Sequence, residues 1–134
     1  EQVRFSDRLK VSIVADKPAR QCWVPSLVVQ PLVENSIKHA LGTAERAGEI
    51  RIEVQRVQTS LVISVEDSGP FDRDVAEIER IAAIMLQRPG VGVANTQARL
   101  ANLYGESASV SADVSTLGGI RVTLRLPASE EVPQ

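Results

Sequence analysis

An α+β fold, a two-layer α/β sandwich in which a mixed sheet of four to five strands packs on about three helices, is predicted by three features of this chain. Apolar and polar residues alternate with period two in several short segments, the pattern of half-buried strands. Longer segments instead repeat apolar residues every three to four positions, as amphipathic helices do. Strand and helix patterns do not alternate strictly, so the connections are too irregular for a run of βαβ units. The 134 residues are enough for one core and too few for two ordinary domains. One domain is therefore expected over residues 1–127, with a frayed tail over 128–134.

The elements follow in order. Leu9, Val11 and Ile13 alternate with Lys10 and Ser12 as a half-buried strand, which Asp16-Lys17-Pro18 ends. A loop through Trp23 and Pro25 leads to a helix from about Ser26 to Leu41, with Gly42 as its stop and a kink or restart expected at Pro31. Ile50, Ile52 and Val54 mark a second strand, and Gln58-Thr59-Ser60 a tight turn into a third. In that third strand Leu61, Ile63, Val65 and Asp67 share one face, so an acid ends an apolar row. Charged carboxylates are rarely buried without partners, so Asp67 is expected to point toward the helical layer, where something must hydrogen-bond it. Glu66, on the opposite face, is expected to be solvated.

Asp72 or Asp74 is placed to cap a helix through Ile78, Ile81, Ala82 and Met85, which Gln87-Arg88-Pro89-Gly90 breaks. That region is the expected lid. A third helix should run from about Val93 to Tyr104 and stop at Gly105. Two final strands, Ser109 to Val114 and Ile120 to Leu126, should pair as a hairpin.

Bulk properties narrow the function. Hydrophobic residues make up 43% and charged residues 24%, which fits a globular protein rather than a disordered one. A net charge of -2 argues against nucleic-acid binding. The single cysteine, Cys22, excludes an intrachain disulfide or a cysteine-built metal site and points to an intracellular setting, with a small buried hydrophobe as its plainest role. No stretch reaches the roughly 20 apolar residues of a membrane span, and the start carries no signal-peptide pattern. With no initial Met, the chain is expected to be part of a longer protein whose membrane, sensor or dimerisation segments lie upstream.

Chemistry concentrates in the stretch Gln30-Pro31-Leu32-Val33-Glu34-Asn35-Ser36-Ile37-Lys38-His39-Ala40. On a helix Val28, Leu32, Asn35 and His39 fall along one stripe, with Glu34 and Lys38 an i,i+4 pair beside it. A carboxamide there is either a satisfied helix hydrogen-bonder or a ligand for something bound. Three further segments follow: Val65-Glu66-Asp67-Ser68-Gly69-Pro70, then Gly90-Val91-Gly92-Val93-Ala94-Asn95-Thr96-Gln97-Ala98-Arg99-Leu100, then Gly118-Gly119-Ile120-Arg121-Val122-Thr123-Leu124-Arg125-Leu126-Pro127. Each is a weak motif alone; four in this order make a strong one.

That order resembles the ATP-binding catalytic domain of sensor histidine kinases, nearest to the LytS-like branch within the GHKL ATPase superfamily, over about Arg4 to Pro127. The resemblance implies the Bergerat-type sandwich and alone specifies strand order. It implies ATP and Mg2+ as cofactors, with Asp67 reading the adenine amine and Gly69 letting the base approach. It gives Asn35 as the magnesium ligand, Glu34 as a general base or polarising group, and Lys38 and His39 as contacts near the phosphates. A carboxylate suits an exocyclic amine donor, and magnesium takes only one or two protein oxygens beside phosphate and water. Gly90 and Gly92, lacking a Cβ, let backbone N–H groups face phosphate oxygens at a helix start. Asn95 is implied near phosphate or cation; Arg99 also matches the family pattern but reads equally as a solvated helix residue or a structural ion pair. Without the other motifs, Asp67 would read as a turn residue and His39 as a structural histidine.

Two positions depart from the family pattern. Phe71 replaces a second glycine after Asp67, and Ile120 replaces a threonine that often follows the last glycine pair. The function so implied is transfer of the γ-phosphoryl of Mg-ATP to a histidine on an upstream dimerisation segment; His39, inside the nucleotide-binding helix, is not that acceptor. Implied partners are that segment, a response-regulator receiver domain and a second copy in a full-length homodimer, with the domain cytoplasmic even if its parent is membrane-anchored. The rivals are an anti-sigma-factor-like serine kinase and a degenerate, non-catalytic nucleotide-binding or docking module.

Overall fold

The computed structural model describes residues 2–6, 9–22, 24, 26–40, 48–69, 74–87 and 92–129. A six-stranded mixed sheet carries three helices on one face. The strands are β1 (Gln2–Ser6), β2 (Leu9–Ala15), β3 (Gly48–Val57), β4 (Ser60–Asp67), β5 (Ser109–Val114) and β6 (Ile120–Pro127), and the helices α1 (Ser26–Ala40), α2 (Val75–Gln87) and α3 (Gly92–Tyr104). Their order across the sheet is β1-β2-β3-β4-β6-β5. Only β2 and β3, bridged by α1, run parallel; every other pair is antiparallel. A parallel pair needs a crossover, and α1 supplies it.

The fold class is as expected, with one strand more than the four to five anticipated. β1 is five residues long and its register with β2 shifts between Arg4 and Ser6. A short, bulged edge strand leaves too few alternating positions to announce itself.

Period-two patterning decides which face is buried. Leu61, Ile63 and Val65 of β4 and Ile120, Val122, Leu124 and Leu126 of β6 all lie beneath the helices, joined by Val28 and Leu32 of α1, Ile78 and Ala82 of α2, and Val93 and Leu100 of α3. Fully burying one such Leu or Ile is worth about 1.5–3 kcal/mol.

The boundaries mostly repeat the sequence signals. Gln58, at φ 57, closes the tight β3–β4 turn. Asp74 caps α2, its Oδ1 accepting the Glu77 N–H at 2.9 Å. Gly105, at φ 60, ends α3. α1 runs as one helix through Pro31, whose missing N–H removes one rung of its early ladder. Beside that gap the fully buried Thr96 hydroxyl of α3 donates to the Val28 carbonyl at 3.2 Å, tying α3 to α1. Cys22 is half-buried against the core. Ala128, placed in the expected tail, donates its N–H to the Thr59 carbonyl at 2.8 Å. Trp23, Pro25, the stop at Gly42, Phe71 and the ends of the expected lid around residues 70–73 and 88–91 lie outside the described residues. Among the described residues no helix is long and apolar enough to cross a membrane.

Candidate functional site

Two elements meet at the acid that ends β4. Asp67 is 2% exposed and follows Val65 on the buried face, opposite Ile50 of β3. The turn between β5 and β6 closes over it. Gly119 donates its N–H to the Asp67 carbonyl at 3.1 Å, and Ile120 donates its N–H to Asp67 Oδ1 at 3.3 Å. A carboxylate in so little water needs a donor such as the Ile120 N–H to remain acceptable in the fold. Gly69, at φ 58 and buried, turns the chain away just beyond. Ser68 locks that exit to β3: its N–H donates to the Glu49 carbonyl and its Oγ accepts the Glu49 N–H, both at 2.9 Å.

The approach of β6 to Asp67 depends on Gly119. A Cβ there would run into Asp67 Oδ1, and would lie 2.5 Å from the Asp67 carbonyl oxygen and 2.6 Å from the Gly69 nitrogen. Sequence reading marked the Gly118-Gly119 pair as a motif and missed this reason for it. Ile120 lacks the threonine hydroxyl, but its side chain fills the core and its backbone N–H still reaches the acid.

On α1 the buried stripe includes Val28, Leu32, Ser36 and Ala40, one turn apart each, with Ser36 rather than the expected Asn35 in its line. Asn35 accordingly sits half-buried at the edge of that stripe. Glu34 is exposed, its Oε1 accepting from Gln30 Nε2 at 3.1 Å. Glu34, Gln30, Pro31 and Arg99 of α3 line one open depression of about 210 Å³. Arg99 thus joins Glu34 from a different helix, which the sequence left undecided. Lys38 is exposed on α1, and Asn95 is exposed on α3. Gly92 opens α3. The side chain of His39, and Gly90 altogether, lie outside the described residues.

Glu66 contradicts the expectation of a solvated side chain: it is 4% exposed. Its Oε1 accepts from the buried Ser115 Oγ at 2.9 Å, and Arg51 lies 3.9 Å from its Oε2. The registers place Arg51, Glu66, Arg121 and Asp113 in one row across β3, β4, β6 and β5, alternating in sign. Arg121 makes a two-point contact with Asp113, at 3.1 and 3.2 Å, and that hydrogen-bonded carboxylate raises the guanidinium pKa. The pair is exposed and adds little stability. Glu66 is buried inside the row, where both flanking charges are positive.

Among the described residues no group of three or more His, Cys, Asp and Glu side chains is placed to hold a metal. Asn35 offers a single oxygen on a partly open helix face. That fits magnesium, which takes one or two protein oxygens when phosphate supplies others, and does not fit a metal needing a full protein cage.

Three helices packed on one six-stranded mixed sheet, with a buried acid at the end of β4, define an α+β sandwich domain. A family model described as histidine kinase-, DNA gyrase B-, and HSP90-like ATPase matches residues 25–130, and the chain belongs to that family. It is 30% identical over 132 residues to sensor histidine kinase YesM of Bacillus subtilis (strain 168), covering 98% of this chain and 22% of that protein. Sensor protein LytS of Staphylococcus saprophyticus is 34% identical over 130 residues, covering 95% of this chain and 22% of LytS. The chain therefore spans 22% of the length of these relatives. The catalytic domain of histidine kinase ThkA, in a nucleotide-free form, superposes with a TM-score of 0.62 at 18% identity, over 95% of this chain and 82% of that one. The ATP binding domain of PrrB from Mycobacterium tuberculosis superposes with a TM-score of 0.60 at 23% identity, over 92% of this chain and 83% of that one. The fold is that of histidine kinase catalytic domains.

Proposed function

We propose that this domain binds Mg-ATP and is the catalytic part of a cytoplasmic sensor histidine kinase of the LytS type. The observation that carries the reading is Asp67, a nearly buried residue beside Gly69 whose carboxylate accepts the Ile120 N–H and whose backbone carbonyl accepts the Gly119 N–H. A preorganised acceptor of this kind suits the exocyclic amine of adenine. Gly69 would let the base approach, and Gly92 at the N-terminus of α3, with Gly90 just before it in sequence, would serve the phosphates. Asn35 would hold the magnesium, whose role when bound is to offset phosphate charge; Lys38, His39 and Asn95 complete the phosphate end.

In the reaction the bond between the γ-phosphorus and the bridging oxygen breaks, ADP leaves, and a bond forms from that phosphorus to an imidazole nitrogen of the acceptor. Glu34 polarises the imidazole or takes its proton. Phosphoryl transfer depends mainly on positioning and charge, which fixed groups on α1, β4 and α3 supply. The acceptor lies on a dimerisation segment of the same protein, the working unit is a homodimer, and a response-regulator receiver domain takes the phosphoryl group onward.

The test is calorimetric titration of ATP into the domain with and without magnesium, beside Asp67→Asn and Asn35→Ala. Expected is binding that Asp67→Asn abolishes and that weakens when magnesium or the Asn35 side chain is removed. A folded domain with no ATP binding, or one indifferent to Asp67→Asn, would overturn the reading.

A further inference from the structure

Ser115 takes no direct place in the nucleotide site, yet it is 3% exposed and its hydroxyl is fully employed. The Oγ donates to Glu66 Oε1 at 2.9 Å and accepts the Leu117 N–H at 3.0 Å. Its N–H donates to the Gly119 carbonyl at 2.8 Å, and its carbonyl accepts the Gly118 N–H at 3.1 Å. These four bonds, three within the turn from Ser115 to Gly119 and one to Glu66, thus all pass through this residue. The same turn presents the Gly119 and Ile120 N–H groups to Asp67.

Glu66 and Asp67 are neighbours on β4 and point to opposite faces, as the period of a strand requires. Glu66 fixes the turn from the open face through Ser115; the turn fixes Asp67 from the buried face. The ion pair with Arg51 on β3 holds Glu66 in turn. A clamp therefore encloses the end of β4 from both sides, with Ser115 joining its halves.

We propose that Ser115, held by Glu66, is a positioning residue for base recognition: it sets the turn that orients the Asp67 carboxylate, and so sets the preference for a purine with a 6-amino group over one with a 6-oxo group. This rests on the nucleotide reading above. Without the hydroxyl, the turn loses its tie to Glu66 and Leu117 loses its acceptor. Asp67 then keeps its place in the chain but loses the rigid frame that aims it.

The experiment compares ATP, GTP and inorganic triphosphate binding to the wild type, Ser115→Ala, Ser115→Thr and Asp67→Asn. Expected for Ser115→Ala is about tenfold weaker ATP binding and a similar fall in the ATP-to-GTP preference, the size of one lost charge-assisted hydrogen bond. Triphosphate binding should not change, and Ser115→Thr, which keeps the hydroxyl, should recover most of the preference. A ratio of affinities is insensitive to a partly unfolded sample, because an inactive fraction scales both ligands alike. Glu66→Gln and Glu66→Leu give an independent pair: Gln retains an oxygen for Ser115 and should keep the preference, whereas Leu should lose it. Wild-type ATP affinity and preference in Ser115→Ala, equal weakening of all three ligands, or identical behaviour of the two Glu66 variants would overturn the clamp alone. Wild-type protein that fails to bind ATP, or an unaffected Asp67→Asn variant, would overturn the nucleotide reading and the clamp with it.

Discussion

Adding one methyl group at Gly119 tests the cradle of Asp67 directly. The φ there lies outside the left-handed region, so the contacts of the new Cβ set the expected effect of alanine. The new Cβ would stand 2.5 Å from the Asp67 carbonyl oxygen and 2.6 Å from the Gly69 nitrogen, besides striking Asp67 Oδ1. Comfortable contact begins near 3.5 Å, so the β6 turn must move about 1 Å away from β4. Two of the opposing atoms are backbone and cannot swing aside. That movement stretches the Gly119 and Ile120 N–H bonds to Asp67, now 3.1 and 3.3 Å. Overpacking of this sort costs about 1–3 kcal/mol and weakened hydrogen bonds about 1 kcal/mol more, giving about 2–4 kcal/mol for Gly119→Ala. Gly105→Ala is the control: nothing lies within 4 Å of its Cβ, and only the φ of 60 opposes it, at about 1 kcal/mol. Urea denaturation followed by circular dichroism measures both, and ATP titration follows. Gly119→Ala should be the less stable of the two and lose at least about tenfold in ATP affinity, with Gly105→Ala binding as the wild type. Equal stabilities, or an unchanged ATP affinity in Gly119→Ala, would refute the cradle.

Three other perturbations bear on the frame around the site. Thr96→Val keeps the buried volume but removes the hydroxyl that donates to the Val28 carbonyl, so urea unfolding should show a loss of about 1–2 kcal/mol; unchanged stability would mean the bond between α3 and α1 is dispensable. Asp74→Ala removes the cap of α2 and should cost about 1 kcal/mol in the same assay, with Asp74→Asn recovering most of it. Tyr104 is the only tyrosine, and burial pushes its phenol above the ordinary value. Ultraviolet titration should place its ionisation there; between the ordinary and raised values the native state holds the proton that the unfolded state releases, so stability should fall as pH rises, and Tyr104→Phe should flatten that slope.

The legible parts of the fold are those that local physics controls. Asp74 before an apolar repeat, Gly105 after one, and Gln58-Thr59 between two alternating runs each produced the boundary their chemistry suggests. What escaped was set by partners distant in sequence. Gly119 reads as one half of a glycine pair until β6 is laid against β4, and Thr96 reads as an ordinary helix residue until α1 lies across it. A signal for Thr96 does exist: it falls on the stripe of Val93 and Leu100, where a hydroxyl must find an acceptor.

Glu66 and Asp67 show where parity reasoning succeeds and where it stops. Alternation correctly assigned the two acids to opposite faces, and the burial of Leu61, Ile63 and Val65 made Asp67 a buried acid. The inference that Glu66 must therefore be solvated assumed that a face without helices is a face in water. β3 and β6 instead bring Arg51 and Arg121 alongside it, and the turn after β5 brings Ser115. Two buried carboxylates in succession would be destabilising if both lacked donors, and each has its own: the Ile120 backbone N–H for Asp67, a hydroxyl and a guanidinium for Glu66. Because one turn is bonded to both, through Ser115 to Glu66 and through Gly119 and Ile120 to Asp67, a change at Glu66 on the open face is expected to reach Asp67 through that turn.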